Sequence, residues 1–598
     1  MTGHLSIDFG ARFADFVAWD EERLSVAKIP NGPNVADVFR KGLAELAIDT
    51  ALLGDIRMVT TTPLNALLDR RVAKVALLTT EGFGDTLRLG RQNRVALYDP
   101  VAKSPAPSFL VSPEDIHEIS GRLDAQGTEL SSLSEDDLDR AISALKDGGI
   151  EAVAICFLFS HMNPIHERRA AEAIRAALPN ISISLSHIVD PAPREYDRTV
   201  SALVDAWIAA TSENDLRRLE AALPDDFTGQ FLLGEGRGVL VPAKVFDTRR
   251  MVLLTGGPAA AARAGARRSN ARTTLAVDIG SQSADIALIQ AGDPVTADFT
   301  RFAGVELRAP VVDMASVSLG GARRARRDET GIRFDATDTT APCLDDALAV
   351  LGLLPDPSSE GLRRISAFGS SETGQDVSRE IVRAAAKVMA LELTRYATRR
   401  NVDPTRADLL VMGGTGPLLA TEIAEQMGLE AVIIPRAPAV SGAIGLAQAP
   451  QRYEASRRID RGLDNLSDDL LVQTCEALDA EISGNSAPVF TLTLAALEQM
   501  HPIQLTLTEC PATVADLRRK LICVYVERFG ISPPGTGHLF EIKIHRDEIV
   551  ALPPSPFVED GLRNELGLLE TEAGMIYLPA SWTMDRSSDA YYLKRVEL

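Results

Sequence analysis

Leu5-Ser6-Ile7-Asp8-Phe9-Gly10-Ala11-Arg12-Phe13-Ala14-Asp15-Phe16-Val17-Ala18 and Ala276-Val277-Asp278-Ile279-Gly280-Ser281-Gln282-Ser283-Ala284-Asp285-Ile286-Ala287-Leu288 are two copies of one pattern. Each reads as a short apolar strand, an Asp-x-Gly turn and a second strand, with another Asp seven residues after the first. A repeat with this spacing is too long for a solenoid and points to a duplicated lobe. The turn offers backbone N–H groups, and its glycine permits close approach, so a phosphate can be cradled there. The carboxylates cannot bind phosphate themselves, but they can hold the water shell of Mg2+. Two such hairpins facing each other would clamp one nucleotide. A lone turn of this kind is a common structural connection; its duplication, with both Asp residues kept, carries the functional reading.

A third element comes late. Asp408-Leu409-Leu410-Val411-Met412-Gly413-Gly414-Thr415-Gly416-Pro417-Leu418 reads as an apolar strand whose Gly-rich turn opens a helix. Such a turn lets backbone lie against a flat ring or a phosphate, although strand-Gly-Gly-helix corners also serve packing alone.

The rest of the chain fits α/β architecture. Ser134-Glu135-Asp136-Asp137 reads as a helix start, Leu138, Ile142 and Leu145 recur at helical spacing, and Gly148-Gly149 end the helix before the apolar strand Ile150 to Phe159. A similar strand runs from Val72 to Thr79. After about Arg461 the pattern changes to strand-like runs at Val489 to Leu494 and Ile503 to Leu507 beside a helix-like Val514 to Phe529, followed by Pro553-Pro554-Ser555-Pro556. The expected organisation is a first lobe over 1–210, a second over 211–460 carrying the second hairpin and the Gly-rich turn, and a small α+β domain over 461–598.

Composition narrows the partners. A chain of 598 residues with 45% hydrophobic and 24% charged residues can bury a large core. With 62 Lys and Arg against 83 Asp and Glu, its net charge of -21 repels nucleic acid and anionic membrane surfaces. Cys156, Cys343, Cys475, Cys510 and Cys523 are scattered and odd in number, with no spacing typical of zinc or redox motifs, which fits a reducing cytosol. The N-terminus lacks a signal-peptide pattern and no run reaches 18 apolar residues, so a cytoplasmic, non-membrane protein is expected. His166 and His187 read most simply as packing or capping histidines, and no H-x-x-x-H spacing suggests a dedicated metal site.

The order of two phosphate hairpins and a Gly-Gly turn resembles the actin-like ATPase superfamily, in which the last turn meets adenosine. Further stretches narrow the resemblance: Asn65 to Arg71, Val75-Ala76-Leu77-Leu78-Thr79-Thr80-Glu81-Gly82-Phe83, Leu89-Gly90-Arg91-Gln92, Asn163 to Ala170, Arg194-Glu195-Tyr196-Asp197-Arg198-Thr199, Thr255-Gly256-Gly257-Pro258-Ala259 and Pro438 to Leu446. These are similar to ordered motifs of the hydantoinase A/5-oxoprolinase family, over nearly the whole chain. The resemblance implies two actin-like (ribonuclease H-like) ATPase lobes with ATP and Mg2+ as cofactors. It also implies ATP-driven activation of a carbonyl, by which a 5-oxoproline- or hydantoin-like cyclic amide is opened, and a hydantoinase B-type partner subunit in an oligomer. Asp8, Asp15, Asp278 and Asp285 would surround the metal and phosphates, with Asp8 and Asp278 on the metal. Gly10, Arg12, Thr60, Thr61, Gly280 and Ser281 would serve the phosphates, with Gly413, Gly414 and Gly416 at the adenosine turn.

The sequence also departs from the family. Its first loop there is Asp-x-Gly-Gly-Thr-x-Thr-Asp, whereas Ala11, Arg12 and Ala14 stand here. Ser281-Gln282 and Ala284 replace Gly-Thr and Thr in the second loop, and Met58 replaces a His before Val59-Thr60-Thr61. The Gly-rich segment before Ala341-Pro342-Cys343-Leu344-Asp345-Asp346-Ala347 is missing, and Ser318-Leu319-Gly320-Gly321-Ala322 stands for a longer Gly-rich run. Arg12 reads either as a fixed positive charge for phosphate or as a solvated loop residue. Two other functions therefore stay open: an ATP-dependent ketone carboxylase subunit, and a non-catalytic structural paralogue.

Overall fold

Apolar alternation in the repeated hairpins buries one face of each, and each hairpin seeds a mixed sheet. The computed structural model describes residues 3–68, 70, 73–92, 98, 107–266, 272–302, 304–329, 331–355, 357–369, 372–496, 502–549, 553, 567–571, 573–587 and 590–596. Of the motifs named above, Asp69, Arg71, Val72 and Pro554 to Pro556 lie outside the described residues.

In the first lobe, strand Gly3–Phe9 lies between its antiparallel hairpin partner Phe13–Trp19 and the parallel strand Leu53–Thr60. Leu24–Pro30 extends the hairpin side, and Gln230–Gly234 runs parallel to Leu53–Thr60. The second lobe repeats the plan. Thr274–Ile279 has antiparallel Ala284–Gln290 on one side and parallel Asp408–Met412 on the other, with Met314–Val317 beyond the hairpin and Ala431–Pro435 beyond Asp408–Met412. Three antiparallel strands continued by two parallel ones, given twice, form a pair of ribonuclease H-like lobes. A further parallel sheet, Ser182–Leu185, Ala152–Cys156, Val75–Thr80 and Ile116–Ile119, packs on helices Glu135–Gly148, Ile165–Ala177 and Glu195–Glu220. Ser134 caps Glu135–Gly148 by accepting from the Asp137 N–H, and Gly149 closes it in the left-handed conformation.

Two small-residue helices, Gly256–Ala266 and Ser441–Gln448, pack together between the lobe sheets. Their contact is so close that a Cβ on Gly445 would sit 1.7 Å from the Ala260 carbonyl oxygen. Alanine and glycine there allow backbone-to-backbone approach that larger side chains would prevent.

Two compact units emerge. The larger comprises 1–238, 242–449 and 553–598, so both lobes belong to it, and position 210 falls inside the helix Glu195–Glu220. The smaller comprises 239–241 and 450–552. This corrects the α+β region expected over 461–598. The tail returns to the second lobe, where Ala590–Arg595 pairs antiparallel with Ala431–Pro435 and so continues that sheet. In the smaller unit the long strands Gln451–Gly462 and His538–Glu548 pair with Val489–Ala495 and Ile503–Leu507 beyond, and helices Asp468–Glu481 and Val514–Phe529 cover a core of Leu471, Leu478, Leu492, Leu517 and Ile542. Cys475 and Cys510, 35 residues apart, form a disulfide there, with Cα atoms 6.3 Å apart. No sequence spacing announced that pair, because the helix and the turn bearing them are brought together only by the tertiary fold; it departs from the reducing environment read from the scattered cysteines. Among the described residues no helix is long and apolar enough to cross a membrane.

Candidate nucleotide site

The two hairpin turns are built alike. The Gly10 N–H donates to the Phe13 carbonyl at 2.9 Å, and the Gly280 N–H donates to the Ser283 carbonyl at 3.0 Å. The strand beside each hairpin turns in the same way, for the Thr61 N–H donates to the Phe9 carbonyl and the Thr415 N–H to the Ile279 carbonyl, both at 3.1 Å. The Thr60-Thr61 turn is thus the first-lobe counterpart of the Gly414-Thr415 turn. Gly413 adopts φ +89, and a Cβ there would stand 2.3 Å from the Ile279 carbonyl oxygen and 2.4 Å from Asp278 Oδ1, so the position needs glycine on both counts.

Strand register lines up the acids. Asp8 pairs with Asp15, and Asp278 with Asp285. All four line one cavity of about 330 Å3 between the lobes, together with Gly10, Arg12, Thr61, Gly280, Ser281, Gly413 and Gly414. Two expected residues lie off it. The Thr60 hydroxyl is bonded to Thr62 Oγ1 at 3.1 Å, and Gly416 packs on Val411 and Ile279 in the first turn of its helix. The cavity also takes residues not expected at the site: Pro258, Asp345 and Gly442, which lie in stretches noted for the family resemblance or the departures from it, and Lys28 and Ser316, which no motif flagged. Gly442 is the tightest, since a Cβ there would meet Asp8 Oδ2 at 1.9 Å.

Crowded carboxylates withdrawn from water hold on to their protons. Desolvation, reinforced by the Asp15 and Asp278 charges and opposed by Lys28, raises Asp8 to about 8. Asp278 rises to about 7, through desolvation and then its Asp285 and Asp15 neighbours. Asp285 rises to about 6 by desolvation, against a hydrogen bond from Ser316. Asp15 is raised by desolvation, though Lys28 binds it at 2.6 Å. Across the mouth, Arg12 of the first hairpin reaches Asp345 of the second lobe at 3.3 Å. Asp345 in turn fits against Gly321, where a Cβ would clash with its carboxylate at 2.0 Å, and the Gly321 N–H donates to the Gly280 carbonyl.

Among the described residues no three carboxylate, imidazole or thiol groups converge to ligate a metal directly. Asp8 Oδ1, however, is buried without a hydrogen-bond partner, beside three further carboxylates. Mg2+ keeps several waters and takes one or two carboxylates plus phosphate oxygens, so these carboxylates could hold it through its water shell. His166 and His187 lie elsewhere and bond Glu129 at 2.9 Å and Glu167 at 2.5 Å, as packing histidines do.

Residues 4–178 match the hydantoinase/oxoprolinase N-terminal region, and residues 198–342 and 361–455 match hydantoinase/oxoprolinase. The chain belongs to the hydantoinase/oxoprolinase family. It is similar to the caprolactamase subunit alpha of Pseudomonas jessenii, with 28% identity over 504 residues, 77% of this chain and 72% of that one. It is equally similar to the acetophenone carboxylase gamma subunit of Aromatoleum aromaticum, 28% identical over 514 residues, 76% of this chain and 69% of that one. A nucleotide-free structure of acetone carboxylase superposes with a TM-score of 0.83 at 20% identity, covering 99% of both chains. This family therefore includes ATP-dependent cyclic-amide hydrolases and subunits of ketone carboxylases, and the actin-like lobes are its common frame.

Proposed function

We propose that this chain is the ATP-binding subunit of an ATP- and Mg2+-dependent enzyme that opens a cyclic amide of the 5-oxoproline or hydantoin type. The observation that supports this most strongly is the placement of Asp8, Asp15, Asp278 and Asp285 around one cavity whose walls include two glycine turns with the same hydrogen bond. In this reading the amides of the two hairpin turns and Ser281 receive phosphate oxygens, Asp8 and Asp278 hold the water shell of the cation, and Gly413-Gly414 lies against adenosine. ATP, when bound, supplies a phosphoryl group for the amide carbonyl oxygen, which makes the carbonyl carbon open to water. The chain's own part is to hold the reactants in line and offset charge, the main levers of phosphoryl transfer. A partner subunit of the hydantoinase B type would complete the site, in keeping with relatives that are themselves named as subunits, and the complex would work in the cytoplasm.

The likeness to acetophenone carboxylase gamma supports a second reading, in which the same activation serves carboxylation of a ketone. The replaced loop residues Ala11, Arg12 and Ala14 support a third, a non-catalytic scaffold. Calorimetric titration with ATP and Mg2+ separates them. Binding that is lost in Asp278→Ala, followed by ring opening of a lactam or hydantoin with the partner present, is the expected result. Turnover that needs bicarbonate and a ketone favours the second reading, and absence of nucleotide binding leaves the scaffold.

A further inference from the structure

The two lobes repeat one another through two strands and differ in the third. In the first lobe the row runs Asp8, Asp15, Lys28 across neighbouring strands; in the second it runs Asp278, Asp285, Ser316. One lobe thus ends its row in an ammonium, and the other in a hydroxyl that is already bonded to Asp285. Lys28 lines the nucleotide cavity. Its Nζ donates to Asp15 Oδ1 at 2.6 Å and to the Ala439 carbonyl oxygen at 3.0 Å, and it lies 5.2 Å from the centre of the Phe13 ring. An ammonium has three N–H donors. Among the described contacts two are engaged, which leaves one for an acceptor in the cavity.

The placement of the fixed charges is therefore lopsided. Both cations that line the cavity, Lys28 and Arg12, come from the first lobe, and the Lys28 charge also reaches Asp278 of the second. Arg12 is committed to Asp345 at the mouth, and its side chain is 51% exposed. The Lys28 side chain is 38% exposed, and Asp15, the Ala439 carbonyl and an aromatic face hold it in a geometry that fixes its position without using all its donors.

We infer that Lys28 is a phosphate-binding residue of this site, its free N–H donating to a non-bridging oxygen of the bound polyphosphate. The inference rests on the nucleotide reading above. Asp15 is the positioning residue that holds the ammonium in register. A purely structural Lys28, one that only neutralises Asp15 and Asp8, would have the opposite signature. Its removal would make the cavity more acidic and raise affinity for the cation, leaving binding of phosphate alone unchanged.

The test is calorimetric titration of the full chain with pyrophosphate in the absence of divalent cations, and separately with ATP plus Mg2+, for the native chain, Lys28→Met and Lys28→Arg. A hydrogen bond between two charged groups corresponds to a loss of about ten- to a hundred-fold in affinity when it is removed. Lys28→Met is expected to lose that much for both probes, and Lys28→Arg to recover most of it. Equal pyrophosphate affinity in the native and Met chains, or tighter Mg2+ binding with unchanged phosphate affinity, overturns the assignment of Lys28 alone. Failure of the native chain to bind either probe overturns the nucleotide reading and this inference with it. Thermal unfolding of each variant is run alongside, and should Lys28→Met not fold, Lys28→Gln, which keeps a donor for Asp15, takes its place in the same comparison.

Discussion

Gly442→Ala is the sharpest perturbation of the site, because its two effects have opposite signs. A Cβ at 442 would lie 1.9 Å from Asp8 Oδ2, 2.9 Å from its Cγ and 3.4 Å from its Cβ, so the whole carboxylate is in the way. The helix bearing Gly442 cannot retreat, since its Gly445 already abuts the Ala260 carbonyl. Asp8 must therefore swing out of its place in the cavity. Overpacking costs about 1–3 kcal/mol, while Ala in place of Gly within a helix returns about 1 kcal/mol. The net loss of stability is then about 0–2 kcal/mol. Displacing a charged ligand for the cation's water shell removes about 1.5–3 kcal/mol of binding, on the order of ten- to a hundred-fold. Urea unfolding followed by tryptophan fluorescence, with calorimetric titration of ATP and Mg2+, reads both quantities. Native affinity in a folded Gly442→Ala chain would refute the placement of Asp8 against this helix and its role in the site.

Gly445→Ala should behave in the reverse manner, with a large fall in the urea midpoint, because its Cβ meets backbone rather than a mobile side chain. Asp345→Asn removes a half-exposed partner of Arg12, worth about 0–1 kcal/mol to stability, and frees the guanidinium for phosphate. Its unfolding should be unchanged and its ATP affinity higher in calorimetry, and weaker binding would show that Arg12 has no part in the site. Asp8, Asp278 and Asp285 all have folded pKa values, about 8, 7 and 6, above the ordinary 3.8. The folded chain then holds more protons than the unfolded one across that window, so their contribution to stability is full below 3.8 and is lost as pH rises toward about 8. Melting curves over this range should flatten in Asp278→Asn, and a steeper loss in that variant would contradict the assignment. Arg198 is fully buried and donates to the Ser186 hydroxyl and the Phe157 carbonyl, beside the buried Glu167. Arg198→Ala removes these bonds and one of the two cations facing Glu167, the other being His187, and should cost about 1–3 kcal/mol in urea unfolding, whereas a change below 1 kcal/mol would argue for solvent access to this cluster.

What the sequence by itself determined was local. The alternation and Asp-x-Gly turns at 5–18 and 276–288 are legible because a hairpin is built from neighbours in the chain, and the same holds for Ser134 and Gly149 at the ends of one helix. The shared pattern of the two hairpins was enough to infer duplicated lobes, and eleven of the positions that the family resemblance added as site residues line the cavity: Asp8, Gly10, Arg12, Asp15, Thr61, Asp278, Gly280, Ser281, Asp285, Gly413 and Gly414. The tertiary structure alone decided the rest. Lys28 is one lysine in an amphipathic strand until the register sets it opposite Asp15. Asp345 is 333 residues from Arg12, Gly442 is hundreds of residues from Asp8, and the tail strand Ala590–Arg595 finds its partner at Ala431–Pro435. Such meetings depend on how completed sheets align and how closely two Gly/Ala helices let the lobes approach, and neither quantity is encoded in any short stretch of chain.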